Sequence, residues 1–124
     1  MRWMVDAMNV IGTRPDGWWK DRHAAMVRMV ENLERWATAT GEEVTVVFER
    51  PPSPPIDSRI VGIASAPTAG PNAADLEIVR RVREDPDPEK VRVVTSDHGL
   101  ADQVRALGAE VEAAAPFRRE IETA

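Results

Sequence analysis

The sequence predicts an α/β domain with a mostly parallel sheet flanked by helices on both faces. Three observations predict it. Strand-like and helix-like segments alternate along the chain. The strand-like runs are unbroken apolar stretches, such as VTVVF at 44–48, which suit strands buried on both sides. The 124 residues contain no internal repeat, low-complexity tract or linker, so one domain over 1–124 is expected, with its core at about 2–117.

Trp3–Val5 is short, apolar and followed at once by Asp6, which predicts a buried strand. From Asp21 to Thr38, Met26, Met29, Val30, Leu33, Trp36 and Ala37 recur at helical spacing, and Gly41 ends the helix. Val44–Phe48 is β-branched and strand-like. RPPSPP at 50–55 is excluded from helix interiors and central strands, because proline lacks the N–H donor. Arg59–Ala64 predicts a further strand, and Ala74–Glu84 a helix with Leu76, Val79 and Val82 apolar. Val91–Thr95 is a predicted strand, and Gly99–Leu107 a helix stopped by Gly108. A last short strand at Glu110–Glu112 and a terminal helix at Pro116–Glu122 complete the order.

Composition narrows the chemistry. With 43% hydrophobic and 30% charged residues, a soluble core is within reach and wholesale disorder is not expected. Cysteine is absent, which excludes disulfides, zinc-thiolate sites and cysteine nucleophiles. Only His23 and His98 are available, so a three-histidine metal site is excluded. A net charge of -5 excludes a generally basic nucleic-acid binder but leaves room for a local basic patch. The bases are 14 Arg and 2 Lys; that bias suits bidentate phosphate contacts, and equally suits a GC-rich genome. No window approaches the ~18 consecutive apolar residues of a membrane span, and Asp6 interrupts the N-terminal run, so a cytoplasmic, non-membrane protein is expected.

The carboxylates fall in a pattern. Asp6, Glu49 and Asp97 each follow a predicted strand, so they emerge together on the C-terminal edge of a parallel sheet, where open α/β sheets bind ligands. Asp75 lies in the first turn of the 74–84 helix, near the same edge. Clustered carboxylates repel one another, and hard oxygen ligands attract Mg²⁺ or Mn²⁺, which offsets the repulsion. Each acid also has a structural alternative. Asp97 has the position of a helix N-cap, Asn72 and Asp75 have capping-box spacing, and Asp6 can bond amides in its own loop. The coincidence at one edge favours a site, because capping alone does not require it.

Several stretches resemble one family. VDAMNVIG (5–12), RPDGWWKDR (14–22), VTVVFE (44–49), AAD (73–75) and VVTSDHGLADQVRALGAEV (93–111) are similar, in order and separation, to the motifs of the NYN domain, YacP-like branch, in the PIN-like ribonuclease superfamily. The resemblance runs from Arg2 to about Phe117. It implies a PIN-like fold and a metal-dependent endoribonuclease that hydrolyses phosphodiester bonds in single-stranded RNA by in-line attack of a metal-bound water. By position, Asp6, Asp75 and Asp97 are the implied catalytic residues and ligands of Mg²⁺ or Mn²⁺. Asn9, Thr95 and Ser96 are the implied supporting residues, with Glu49 beside them. The sequence departs from the family pattern at Ala7 (commonly Gly), Glu49 (commonly Asp), Leu76 (often a second Asp) and Gly99 (an acid in many PIN domains), with Asp102 a poor substitute. These departures support an alternative: a non-catalytic module with a degraded site that binds RNA, a ribosome or a protein.

The expected partner is single-stranded RNA, messenger or ribosome-associated. The loop between Gly12 and Arg22 offers Arg14, Trp18, Trp19, Lys20 and Arg22. Tryptophan stacking is worth ~1–3 kcal/mol per base, although either tryptophan can instead pack as core. Arg50 and Arg80, then Arg59, Arg81 and Arg83, are further phosphate candidates. Arg118 and Arg119 suit partner contacts, and His98 has the place of a proton donor or of an exposed surface residue. A receiver domain is disfavoured because no lysine follows a later strand, and a haloacid-dehalogenase-like phosphatase because Met8 breaks the Asp-x-Asp motif.

Overall fold

The computed structural model describes residues 1–124. Five parallel strands form one sheet in the order β3-β2-β1-β4-β5. The strands are β1 (Arg2–Asp6), β2 (Glu43–Phe48), β3 (Gly62–Ser65), β4 (Val91–Val94) and β5 (Glu110–Glu112). The helices are α1 (Ala7–Ile11), α2 (Arg22–Thr40), α3 (Ala73–Glu84), α4 (His98–Ala106) and α5 (Ala114–Glu122), with 3-10 turns at Trp18–Lys20 and Pro88–Lys90.

Both faces of the sheet are covered. On one face Trp3, Val5, Val46 and Phe48 pack with Val10, Leu33, Trp36 and Phe117 of α1, α2 and α5. On the other, Val47, Val91 and Val93 pack with Ile78, Val82, Leu100 and Val104 of α3 and α4. Alternation along each strand divides its residues between the two layers, which is why the central strands carry apolar residues on both faces. Trp3, Trp36 and Phe117 form an aromatic cluster at centroid separations of 5.0, 5.5 and 5.2 Å. Contacts of this kind are worth about 0.5–1.5 kcal/mol each beyond area burial. They tie the last helix to the first strand.

Three features stand out against the sequence expectation. The segment after Asp6 is a five-residue helix, too short to show a 3.6-residue period. The strand expected at Arg59–Ala64 begins only at Gly62; Ser58 Oγ accepts from Ile60 N and Val61 N, which holds that stretch in a turn. The last helix starts at Ala114, ahead of Pro116, because proline is tolerated in a first turn.

The strand order reverses at β1, between β2 and β4. A crevice opens at such a switch point, outside the carboxyl ends of the strands. Asp6 closes β1, and Thr95–Asp97 follows β4, so both lie at this crevice.

Candidate active site

A cavity of about 270 Å³ lies at the switch point, lined by Asp6, Asn9, Glu49, Asn72, Asp75 and Asp97 together with Met8 and Ala74. Every acid singled out at the strand ends, and Asp75 from the helix, reaches it. No basic side chain lines it.

The segment Thr95–Asp97 organises the site. Thr95 is buried; its Oγ1 donates to Asp6 Oδ2 at 3.0 Å and accepts from Asp97 N at 3.1 Å. Asn9 Oδ1, from α1, accepts from Ser96 N at 2.7 Å. Ser96 Oγ accepts from Ala114 N at 2.9 Å, at the start of α5. The end of β1 and the starts of α1 and α5 are thus tied to the segment after β4 through Thr95, Asn9 and Ser96.

The alternatives for each acid resolve separately. Asp97 does cap α4, with Oδ1 accepting from Leu100 N at 3.0 Å. That bond uses one oxygen, and Asp97 still borders the cavity. A side chain at Gly99 would come within 3.3 Å of that Oδ1, so glycine leaves the cap uncrowded. The capping box at Asn72 does not form: Asn72 is left-handed, with φ 60°, and makes no side-chain cap. Asp6 makes no cap to α1; its hydrogen bond is the one to Thr95. No buried side-chain oxygen in the molecule lacks a partner, so Asp6 Oδ1, which accepts no bond, meets the solvent of the cavity.

Electrostatics mark Asp6. It is 6% exposed. Burial pushes its carboxyl up to about 7 against the Thr95 hydrogen bond, which pulls it down; Asp75, Asp97 and Glu49 push it further up. Asp75 is also raised, by burial and then by Asp97 and Glu49. Such mutual repulsion with no basic counter-charge leaves room for a cation.

The candidate donors are oxygens, those of four carboxylates and of the Asn72 amide, since Asn9 Oδ1 already accepts from Ser96 N. That set suits Mg²⁺ or Mn²⁺. No three of the acids converge as a ready chelate. An ion held by these side chains would have to keep much of its water shell, with some carboxylates acting through water.

The cationic candidates divide. Trp19 is 57% exposed, whereas Trp18 packs partly against the core, with Arg22 lying 5.4 Å above its ring. Lys20, Arg22 and Arg50 are exposed. Arg14 is engaged by Asp16 and Glu122. Arg80 is paired with Glu77 and Glu84 and faces a groove with Arg2 and Val91, at the opposite edge of the sheet. Distance and pairing keep Arg80 out of the acid cavity. Asp102 does not line the cavity either; it is exposed on α4.

Residues 3–124 match the family model of the YacP-like NYN domain. Among solved structures, Rae1 (YacP) from Bacillus subtilis superposes with a TM-score of 0.80 at 22% identity, covering 99% of this chain and 74% of that one. A tryptophan-to-leucine mutant of the same protein gives 0.79 at 23% identity, covering 98% and 75%. No curated protein matches the chain. No helix is long and apolar enough to cross a membrane. A family match that spans the sheet, both helical layers and the acid cavity makes this chain a member of the YacP-like NYN domain family.

Proposed function

We propose that the protein is a metal-dependent endoribonuclease that hydrolyses phosphodiester bonds in single-stranded RNA. The observation that carries this reading is the acid cavity at the switch point, with Asp6, Asp75, Asp97 and Glu49 around it and no basic residue in its lining. Asp6, Asp75 and Asp97 would hold a divalent ion, Mg²⁺ or Mn²⁺, directly or through its waters. Such an ion supplies two things: charge to offset the phosphate, and acidity for water. The chain's own residues do the rest. Thr95 fixes the Asp6 carboxyl, and Asn9 fixes the backbone of Ser96. Hydrolysis forms a bond from the water oxygen to phosphorus as the opposite P–O bond breaks, and the leaving oxygen takes up a proton. The exposed Trp19, Lys20, Arg22 and Arg50 are offered to the strand.

The test is cleavage of a mixed single-stranded RNA pool with Mn²⁺, with and without chelator, using Asp6→Asn and Asp97→Asn. Each substitution should lower cleavage by at least about a hundredfold while the protein stays folded. Asn variants that cut as well as the parent would refute the reading. The open spacing of the acids favours a second reading, a module that binds RNA or a protein partner without cutting. That reading requires no saturable Mn²⁺ binding dependent on Asp6 in calorimetry.

A further inference from the structure

A second depression of about 520 Å³ adjoins the acid cavity on the β5 side, lined by Thr95, Ser96, Asp97, His98, Arg105 and the small apolar residues Ala101, Val111 and Ala113. Asp97 borders both spaces. The wall between them is the hydrogen-bonded ribbon 95–97, pinned by Asn9 and by Ala114 N. The two spaces differ in charge. The first has carboxylates and no base; the second has His98 and Arg105, and no acid except the shared Asp97.

Arg105 is free to take a ligand. Its one ion pair, to Asp102, is 4.0 Å long between well-exposed side chains. Such a pair contributes little. By contrast, Arg14 and Arg80 are held by close carboxylates. A guanidinium lining the same depression as the small residues Ala101, Val111 and Ala113 suits a phosphate oxygen pair, with sugar or base against the small residues.

We propose that this groove is a nucleotide subsite, in which Arg105 and His98 grip the RNA flank next to the phosphate held at the acid cavity. The proposal rests on the ribonuclease reading above and adds the side on which the strand leaves the site. A polyanion is repelled by the acid cavity until a cation is present; the groove supplies attraction that needs no metal. Arg105 and His98 are therefore substrate-binding residues.

The experiment measures binding of a labelled single-stranded RNA 12-mer in chelator, by fluorescence anisotropy, from about 50 to about 300 mM salt. Cleavage is measured in parallel with Mn²⁺. Arg105→Ala should weaken binding about fivefold and reduce the slope of log K against log salt by about 0.7, the contribution of one single-strand phosphate contact. The same change should raise KM about fivefold and leave kcat within twofold. Adding His98→Ala should weaken binding further. Lys90→Ala, exposed at the start of β4 on the opposite edge, should change neither slope nor KM. If the parent binds and cuts RNA but Arg105→Ala keeps the parental slope and KM, the groove is wrong and the ribonuclease reading stands. If the parent neither binds nor cuts any RNA, both fall.

Discussion

Replacing Asp6 by Asn should stabilise the metal-free protein at pH 8. The carboxyl is buried and faces three other acids, so the fold favours its protonated form, with a pKa raised from 3.8 to about 7. A raised carboxyl contributes stability that is fully present below the unfolded pKa and is lost as pH rises through the folded one. Stability should therefore fall between about pH 4 and pH 7. At about 1.4 kcal/mol per pKa unit, that rise corresponds to an upper bound on the order of 4 kcal/mol. Asn removes the charge and keeps an oxygen that can accept from Thr95 Oγ1. Relaxation of the cavity and water entry reduce the gain, so about 1–3 kcal/mol is expected at pH 8, or several degrees in Tm for a domain of this size. The assay is thermal or urea unfolding of parent and Asp6→Asn in chelator at pH 4.5 and pH 8. The variant should be the more stable at pH 8, and the gap should nearly close at pH 4.5. Mn²⁺ should then stabilise the parent more than the variant. An Asp6→Asn protein that is no more stable than the parent at pH 8, with an unchanged pH profile, would show that Asp6 carries no electrostatic cost.

Two further outcomes follow from the same packing. Asp97→Ala should cost about 0.5–2 kcal/mol in urea unfolding because it removes the α4 cap, whereas Asp97→Asn keeps a capping oxygen and should stay within a few tenths of the parent. Glu77 is buried on α3, and its hydrogen bonds from Arg80 and then Arg81 hold it down at about 2, so its contribution is present above about pH 4.5 and lost as pH falls towards 2. Glu77→Gln should accordingly lower Tm at pH 7 and flatten the acid limb, as seen by circular dichroism.

The sheet and most helices were legible in the sequence because they depend on long apolar periods. VTVVF and VRVV are short and β-branched, as strands with apolar residues on both faces are, and the Asp21–Thr38 stripe packs against the sheet. The acids were legible for a topological reason: parallel strands deliver all their C-terminal ends to one edge. Less was readable where pairing decides. Arg14 and Arg80 look in the sequence like the other arginines, and only the fold shows their carboxylate partners. Arg105 is inconspicuous for the converse reason: nothing in the local sequence distinguishes a loosely paired arginine on a helix. The groove beside it comes from β5 and α4 meeting, which no local pattern encodes.

Structural and functional readings of the acids do not exclude each other. Asp97 sits at the N-cap of α4, and Asp75 in the first turn of α3. A helix N-terminus favours a negative charge through its unpaired amides and dipole. Helix ends are thus places where a half-buried carboxylate has backbone amides to meet. A cap occupies one oxygen of Asp97, and the residue still borders the cavity. Asp6 lacks such help, because α1 is five residues long and receives no cap from it. Its burden is carried by one hydroxyl, Thr95 Oγ1. The carboxylate with the least compensation is therefore the one that gains most from a cation. This is why Asp6 is the residue at which removing function and adding stability should coincide.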